Sequence, residues 1–161
     1  MTIQFHSPVL FTKNLNDMKH FYQSIMGQDI ENDFGNCVSF SCGLTLWELK
    51  SGYPIVKHIG YQYSSSGNRN LELCFETEDF NEAAARIAAS GARLLHDVTE
   101  EKWGQLTIRV YDPDSNIVEL GETLRCFVRR MAGRGMSASA IHEKTGIALE
   151  QVRAWTEDTA S

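Results

Sequence analysis

Apolar positions along the first half of the chain fall first in a β-rich run, then at helical spacing, then in three short alternating runs. Residues 3–12 (IQFHSPVLFT) are rich in strand formers and end at a polar cluster. Met18, Phe21, Tyr22, Ile25 and Met26 then recur three and four apart, which predicts a helix capped by Asn14 or Asn16 and stopped at Gly27. Three short strands follow near 28–34, 36–42 and 44–49, with Gly35 and Gly43 at the turns.

Residues 50–69 read as a polar linker containing the run from Ser64 to Asn68, after which the pattern restarts. In 70–77 (NLELCFET), Leu71, Leu73 and Phe75 share one face, and Glu72, Cys74 and Glu76 the other. A helix is predicted from Asp79 to Ser90, capped by Asp79, burying Phe80, Ala84, Ile87 and Ala88, and stopped at Gly91. Strands near 92–97, 104–111 and 116–121 complete the half, the last two joined by the turn-forming run from Asp112 to Asn116. The order βαβββ therefore occurs twice, offset by 65 residues at its start, with Ser7 falling on Glu72 and Asn14 on Asp79. The expected fold is α+β: two βαβββ modules forming a curved mixed sheet around a cavity, in a domain spanning 1–124.

Residues 125–161 read as a small helical appendage. One helix runs from Met136-Ser137 to about Thr145, Gly146 turns the chain, and Leu149 to Trp155 form another. Ile141, Ile147, Val152 and Trp155 would supply its core, and the arrangement resembles a helix-turn-helix. Charge argues against nucleic acid as a partner. Residues 1–124 carry 9 basic and 17 acidic side chains, and the tail carries 6 basic and 4 acidic. The second tail helix offers Arg153 alone as a cation, which leaves a helical cap or a dimer clasp as the reading of the tail.

No apolar run is long enough to cross a bilayer, and the start MTIQFHSPVLF lacks the basic and small-residue features of a secretory leader. Cys37, Cys42, Cys74 and Cys126 show no CxxC pair and are read as reduced thiols, so the expected location is the cytoplasm.

Particular residues carry a family resemblance. The run Ser7 to Leu15, then Phe21-Tyr22 and Gly27, resembles the opening of the glyoxalase/bleomycin-resistance/dioxygenase (vicinal oxygen chelate) superfamily. Phe75 to Asp79, Trp103-Gly104-Gln105 and above all Tyr111 to Leu120 (YDPDSNIVEL) match its second half, most closely its glyoxalase-like subgroup. The resemblance covers about residues 3–124. It implies a divalent metal held from the first and last strand of each half, at Ser7, at Leu46 or Glu48, at Glu72 and at Glu119. Relatives that use metal have histidine at the first and third of these positions, where this chain has serine and glutamate. It further implies a homodimer.

Strand alternation bears on the same positions. Leu106, Ile108 and Val110 face the helix, so Gln105, Thr107, Arg109 and Tyr111 face the cavity, as do Ile117, Glu119 and Gly121. The expected pocket holds Glu72, Gln105, Arg109 and Glu119, with Trp103 at its mouth. Glu72 and Glu119 could act as general bases or hold a metal, with Glu48 as a further ligand. Carboxylates without imidazole suit magnesium or manganese better than zinc or nickel. They could instead pair with Arg109 as a structural ion pair, or Arg109 could supply the positive charge that a metal supplies in relatives. His6 is out of phase with Ser7 and should point away from the pocket. His20 is expected in the packing of the first helix. His96 ends a strand just before the run from Asp97 to Glu101, a loop that could close over the site with His96 and Glu101 as acid–base residues, although a solvated acidic loop is the stronger expectation. Besides a ligand-sensing regulator that uses the tail, two functions remain open. One is a lyase or isomerase acting on a small oxygenated substrate, with a divalent metal or none. The other is a binding protein of the bleomycin-resistance type that sequesters a small ligand without turnover.

Overall fold

A computed structural model describes residues 3–59 and 70–157. The first half builds β1 (Val9–Thr12), α1 (Leu15–His20, continued as a π-helical turn over Phe21–Ile25), β2 (Ile30–Asp33), β3 (Cys37–Phe40) and β4 (Thr45–Glu48). The wider turn has a direct signature: the Met26 amide donates to the Phe21 carbonyl five residues back, at 3.0 Å. A short helix α2 (Pro54–Ile59) follows where the sequence suggested only linker; Pro54 suits a first helical turn because it needs no donor there. The Ser64–Asn68 run lies outside the described residues. The second half builds β5 (Glu72–Thr77), α3 (Phe80–Ala89), β6 (Leu94–Glu100), β7 (Leu106–Tyr111) and β8 (Ile117–Glu122).

Each half is a four-stranded mixed sheet, ordered β1-β4-β3-β2 and β5-β8-β7-β6, with its first strand parallel to its last. Residues 3–8 do not join the first strand, which starts at Val9. The halves repeat at the level of single hydrogen bonds. The Asn14 amide donates to Thr12 Oγ1 at 2.9 Å, and 65 residues later the Asp79 amide donates to Thr77 Oγ1 at 3.1 Å. In both places the threonine ending the strand holds the backbone entering the helix. Neither Asn14 nor Asp79 caps its helix through its own side chain, contrary to the capping roles expected of them.

One apolar core serves both halves. It joins Leu10, Met18, Tyr22, Phe40 and Leu46 to Phe80, Ile87, Ile108, Val118 and Leu120. Ala83 rather than Ala88 completes the buried stripe of α3. His20 is exposed instead of packed, because the stripe of α1 runs through Leu15, Met18, Phe21 and Tyr22.

The tail forms α4 (Leu124–Gly133), α5 (Ala138–Thr145) and α6 (Leu149–Glu157) around a separate apolar cluster of Phe127, Val128, Met131, Ile141 and Val152. Thr123 and Ser137 cap α4 and α5 through their hydroxyls, and Gly146, at φ +75°, turns α5 into α6. Among the described residues no helix is long and apolar enough to cross a membrane.

Candidate functional site

Across the second sheet, strand pairing lays four side chains in one transverse row. His96 on β6 pairs with Arg109 on β7, Arg109 with Glu119 on β8, and Glu119 with Cys74 on β5. Alternation puts Arg109 and Glu119 opposite Val110, Val118 and Leu120, which fill the core. The row thus occupies the free face of the sheet, as the sequence pattern predicts for Cys74, Arg109 and Glu119.

Arg109 is the centre of the cluster. Its Nε donates to Glu72 Oε1 at 2.6 Å, its Nη1 donates to Glu101 Oε1 at 2.6 Å, and its Nη2 contacts Glu119 Oε2. Nη1 also donates to His96 Nε2 at 3.1 Å. An arginine can only donate, so the His96 ring proton sits on Nδ1, which donates to the Asp97 carbonyl at 2.7 Å. Three carboxylates surround one guanidinium that is 20% exposed. Burial alone would ease its proton off, but the hydrogen bonds to Glu101 and Glu72 hold its pKa above the ordinary value.

The three carboxylates are not equivalent. The hydrogen bond from Arg109 holds Glu101 below the usual carboxylate range. Glu119 moves the other way: burial raises it, Arg109 opposes the rise, and the charges of Glu72 and Glu101 add to it. Its Oε2 meets Arg109 as an ion pair without hydrogen-bond geometry, so the charged form lacks the directed donor that Glu72 and Glu101 enjoy. Cys74, next in the row, has its thiol pushed up by burial and then by Glu72 and Glu119, and is no thiolate nucleophile.

The other sequence-predicted residues are placed differently. Gln105 is buried; its amide nitrogen donates to the Glu122 carbonyl at 2.5 Å and its oxygen accepts from Trp103 Nε1 at 3.0 Å. It packs over Gly121, where a Cβ would come within 3.1 Å of Gln105 Nε2. Trp103 is 42% exposed. Glu48 is not brought to the cluster: it follows Leu46 on the face opposite Thr45, and Lys50 lies 3.9 Å from it. His6 is exposed, and the Tyr111 ring lies under the Arg93 guanidinium at 3.9 Å.

Pairing also identifies the first-half counterpart of Glu119. Cys74 pairs with Glu119, and 65 residues earlier Val9 pairs with Thr45. The equivalent is Thr45, rather than Leu46 or Glu48. Its hydroxyl donates to Ser7 Oγ at 3.2 Å, so Ser7 and Thr45 stand where the second half has Glu72 and Glu119. The row continues through Ser39 and Asn32, bonded at 3.1 Å, and then differs wholly in chemistry. One sheet presents hydroxyls, an amide and the edge-on Phe11–Trp47 pair; the other presents charge.

Small clefts border the cluster. One of about 370 Å³ runs past Asn70, Glu72, Leu95 and Arg109. Another of about 230 Å³ lies between Pro8, Cys42 and Leu44 on one half and Glu72 and Cys74 on the other. Glu72 belongs to both and stands where the two halves meet.

The donor set does not fit a divalent metal. Two of its four positions are hydroxyls bonded to each other, and the other two are carboxylates already turned on a guanidinium. Among the described residues no group of three histidine, cysteine, aspartate or glutamate side chains is disposed to hold an ion.

Known proteins share this architecture. A solved structure of a protein of unknown function from Agrobacterium tumefaciens str. C58 is 33% identical, covering 77% of this chain and 97% of that one, with a TM-score of 0.69. A lactoylglutathione lyase from Agrobacterium tumefaciens shares the fold at 22% identity, covering 74% and 93% of the two chains, with a TM-score of 0.54. A 4-hydroxyphenylpyruvate dioxygenase from Caenorhabditis elegans is 30% identical over 82 residues, which is 51% of this chain and 20% of that protein. The profile of the glyoxalase-like domain matches residues 5–125, and with the repeated βαβββ sheets it shows that this chain belongs to the glyoxalase-like domain family.

Proposed function

We propose that the chain is a small-molecule enzyme of lyase or isomerase type, in which Glu119 moves a proton on a small oxygenated substrate without a divalent metal. The observation that carries this reading is the split among the carboxylates on Arg109, with Glu101 lowered and Glu119 raised. Carboxyls whose surroundings push their pKa values apart are suited to acid–base division of labour, because one holds its charge while the other more readily takes up and returns a proton. Glu72 borders both clefts and, with Arg109 fixed behind it, would orient the substrate. Trp103 would stand at the entrance and Gln105 behind it.

The test uses a panel of small α-hydroxy and α-keto carbonyl compounds in deuterated water, with exchange at the carbon followed by proton NMR. Exchange that depends on the wild-type chain and disappears in Glu119→Gln supports the reading. Equal exchange in both proteins refutes it.

One observation favours a second reading. The cluster carries three carboxylates against one guanidinium, so it leaves a net negative wall on one sheet, while the other half presents the Phe11–Trp47 aromatic pair. Such a wall suits sequestration of a cationic aromatic compound without turnover. Binding of such a compound that weakens with salt, with no exchange chemistry on the panel, would select it.

The assembly we infer is a homodimer. Ile3 and Phe5 are 94% and 87% exposed on an extended arm, and Leu95, Val98 and Trp103 lie uncovered on the second half. A partner copy would cover these residues and deepen the shallow clefts. The four cysteines are all free, which suits the cytoplasm.

A further inference from the structure

Four of the six tail cations, Arg129, Arg130, Arg134 and Lys144, are engaged within the chain. Arg129 Nε donates to the Trp155 carbonyl at 2.9 Å, and the Lys144 side chain lies against Gly104. Arg134 Nη1 donates to Glu100 at 2.9 Å. Arg130 reaches furthest. Its Nε and Nη2 grip both oxygens of Glu122 at 2.8 Å each, its Nη2 also donates to the Gly104 carbonyl at 2.5 Å, and its Nη1 reaches Glu100 at 3.3 Å. Bidentate pairing of this kind fixes direction as well as distance.

Apart from the Arg129–Trp155 contact, these interactions bear on one segment, the connection between β6 and β7, either directly or through Glu122. Gly104, at φ +111°, packs against Met131 of α4, with a Cβ position only 3.1 Å from its sulfur. Glu122 Oε2 also accepts from the Leu106 amide at 2.8 Å, so the residue that anchors Arg130 starts β7. Inside the segment, the Glu101 amide donates to the Gln105 carbonyl and the Gly104 amide to the Glu101 carbonyl, each at 2.8 Å. Glu101, held in this small ring, is the carboxylate that takes Arg109 Nη1, and it accepts from Thr107 Oγ1 at 3.2 Å.

We propose that the helical tail is an intramolecular clamp on the site, with Arg130 as a positioning residue that sets Glu101 against Arg109 by fixing the Glu100–Gln105 segment. The assignment of this cluster as the working site rests on the function proposed above; the clamp itself is a matter of geometry. It makes the state of the tail a control on the site. Displacement of α4 would free Glu101 and leave Glu72 and Glu119 as the carboxylates on Arg109.

The test is amide hydrogen exchange and the side-chain NMR resonances of Arg109, read on the full chain with no substrate present. A failed enzyme assignment therefore leaves this result readable. In Arg130→Met, exchange at Glu101 and Gly104 should rise by about tenfold or more while Ile108 and Val110 in β7 stay protected, the pattern of local rather than global opening. The Arg109 resonances should move as they do in Glu101→Gln, and the double variant should show no further change. Arg130→Lys should restore the contact to Gly104 and recover part of the protection. Should Arg130→Met fail to fold, Glu100→Ala removes the acceptor shared by Arg130 and Arg134 without stranding a buried charge, and should show the same changes in smaller degree. Unchanged Glu101 exchange and unchanged Arg109 resonances in a folded variant would overturn the clamp. So would uniform acceleration across β7, which marks a merely stabilising arginine.

Discussion

The Tyr22 hydroxyl, on the π-helical turn of the first half, donates to Asp112 Oδ2 in the second half at 2.9 Å, and both residues are buried. Asp112 is the hub of the Asp-Pro-Asp turn. Its Oδ1 accepts from the Asp114 and Asn116 amides at 3.0 and 2.8 Å, and its Oδ2 accepts from Asn116 Nδ2 at 2.9 Å. Burial raises the Asp112 carboxyl and these donors oppose the rise. The turn that carries the family resemblance is thus a tertiary anchor, tying the helix of one half to the last hairpin of the other.

Removing that hydroxyl should loosen the junction of the halves while leaving Asp112 partly satisfied by Asn116. Tyr22→Phe is expected to cost about 1–3 kcal/mol, the range for a hydrogen bond to a charged group. Asp112→Ala should cost more, because two backbone amides and the phenol lose their acceptor together. Urea unfolding checks both, and an Asp112→Ala loss no larger than that of Tyr22→Phe would contradict the hub.

Carbon-detected titration should place the Glu119 carboxyl above the ordinary glutamate value of about 4.3 and Glu101 below it. The signs carry over to stability. Glu101, lowered in the fold, contributes stability that is present above its unfolded pKa and lost as pH falls through its folded one. Glu119, raised in the fold, contributes stability present at low pH and lost as pH rises through its folded value. Glu119→Gln should therefore gain on the wild type, in relative stability, as pH is raised from about 4 toward 7. A relative loss over that window would reverse the assignment.

Much of this site is legible from alternation alone. Glu72, Arg109 and Glu119 sit on β5, β7 and β8, where pairing is regular over every residue and parity carries from strand to strand. It fails on β6. That strand shifts register between Leu94 and His96 and again between His96 and Thr99, so period two cannot show which way His96 and the approach to Glu101 face. Both are partners of Arg109, in place of the solvated acidic loop that the residue pattern favours there. Thr45 was missed for a different reason: the resemblance suggested Leu46 or Glu48, whereas the pairing of Val9 with Thr45 decides the position. The signal was present, since alternation in β4 separates Thr45 and Trp47 from Leu46 and Glu48. The Arg130–Glu122 contact joins the tail to the last strand across a turn, and no spacing rule announces it.

Sedimentation at micromolar concentration should show twice the 18.1 kDa chain mass. Phe5→Asp puts a charge on the exposed arm and should yield monomer with unchanged circular dichroism, as expected if that side chain lies in an interface of about 800 Å² per partner. A wild-type protein that stays monomeric would remove the dimer and leave the arm unexplained.

Replacing Arg109 separates its structural role from its electrostatic one. Arg109→Met leaves Glu72, Glu101 and Glu119 facing one another with no cation between them. Breaking a buried ion pair by removing one partner typically costs about 3–5 kcal/mol, and the 20% exposure of this guanidinium puts the expected loss toward the lower end. With the guanidinium gone, rotation of their side chains would let the three bared carboxylates converge on a hard divalent ion, a disposition they lack in the wild type. Manganese or magnesium should raise the melting temperature of Arg109→Met and leave that of the wild type unchanged, since in the wild type the guanidinium already neutralises these carboxylates. Adding Glu72→Gln and Glu119→Gln to Arg109→Met should restore much of the stability and abolish the metal response together. Should zinc, nickel, manganese or magnesium stabilise the wild type as strongly as the Arg109→Met variant, the guanidinium is not the resident cation, and the metal-free reading of the site fails with it.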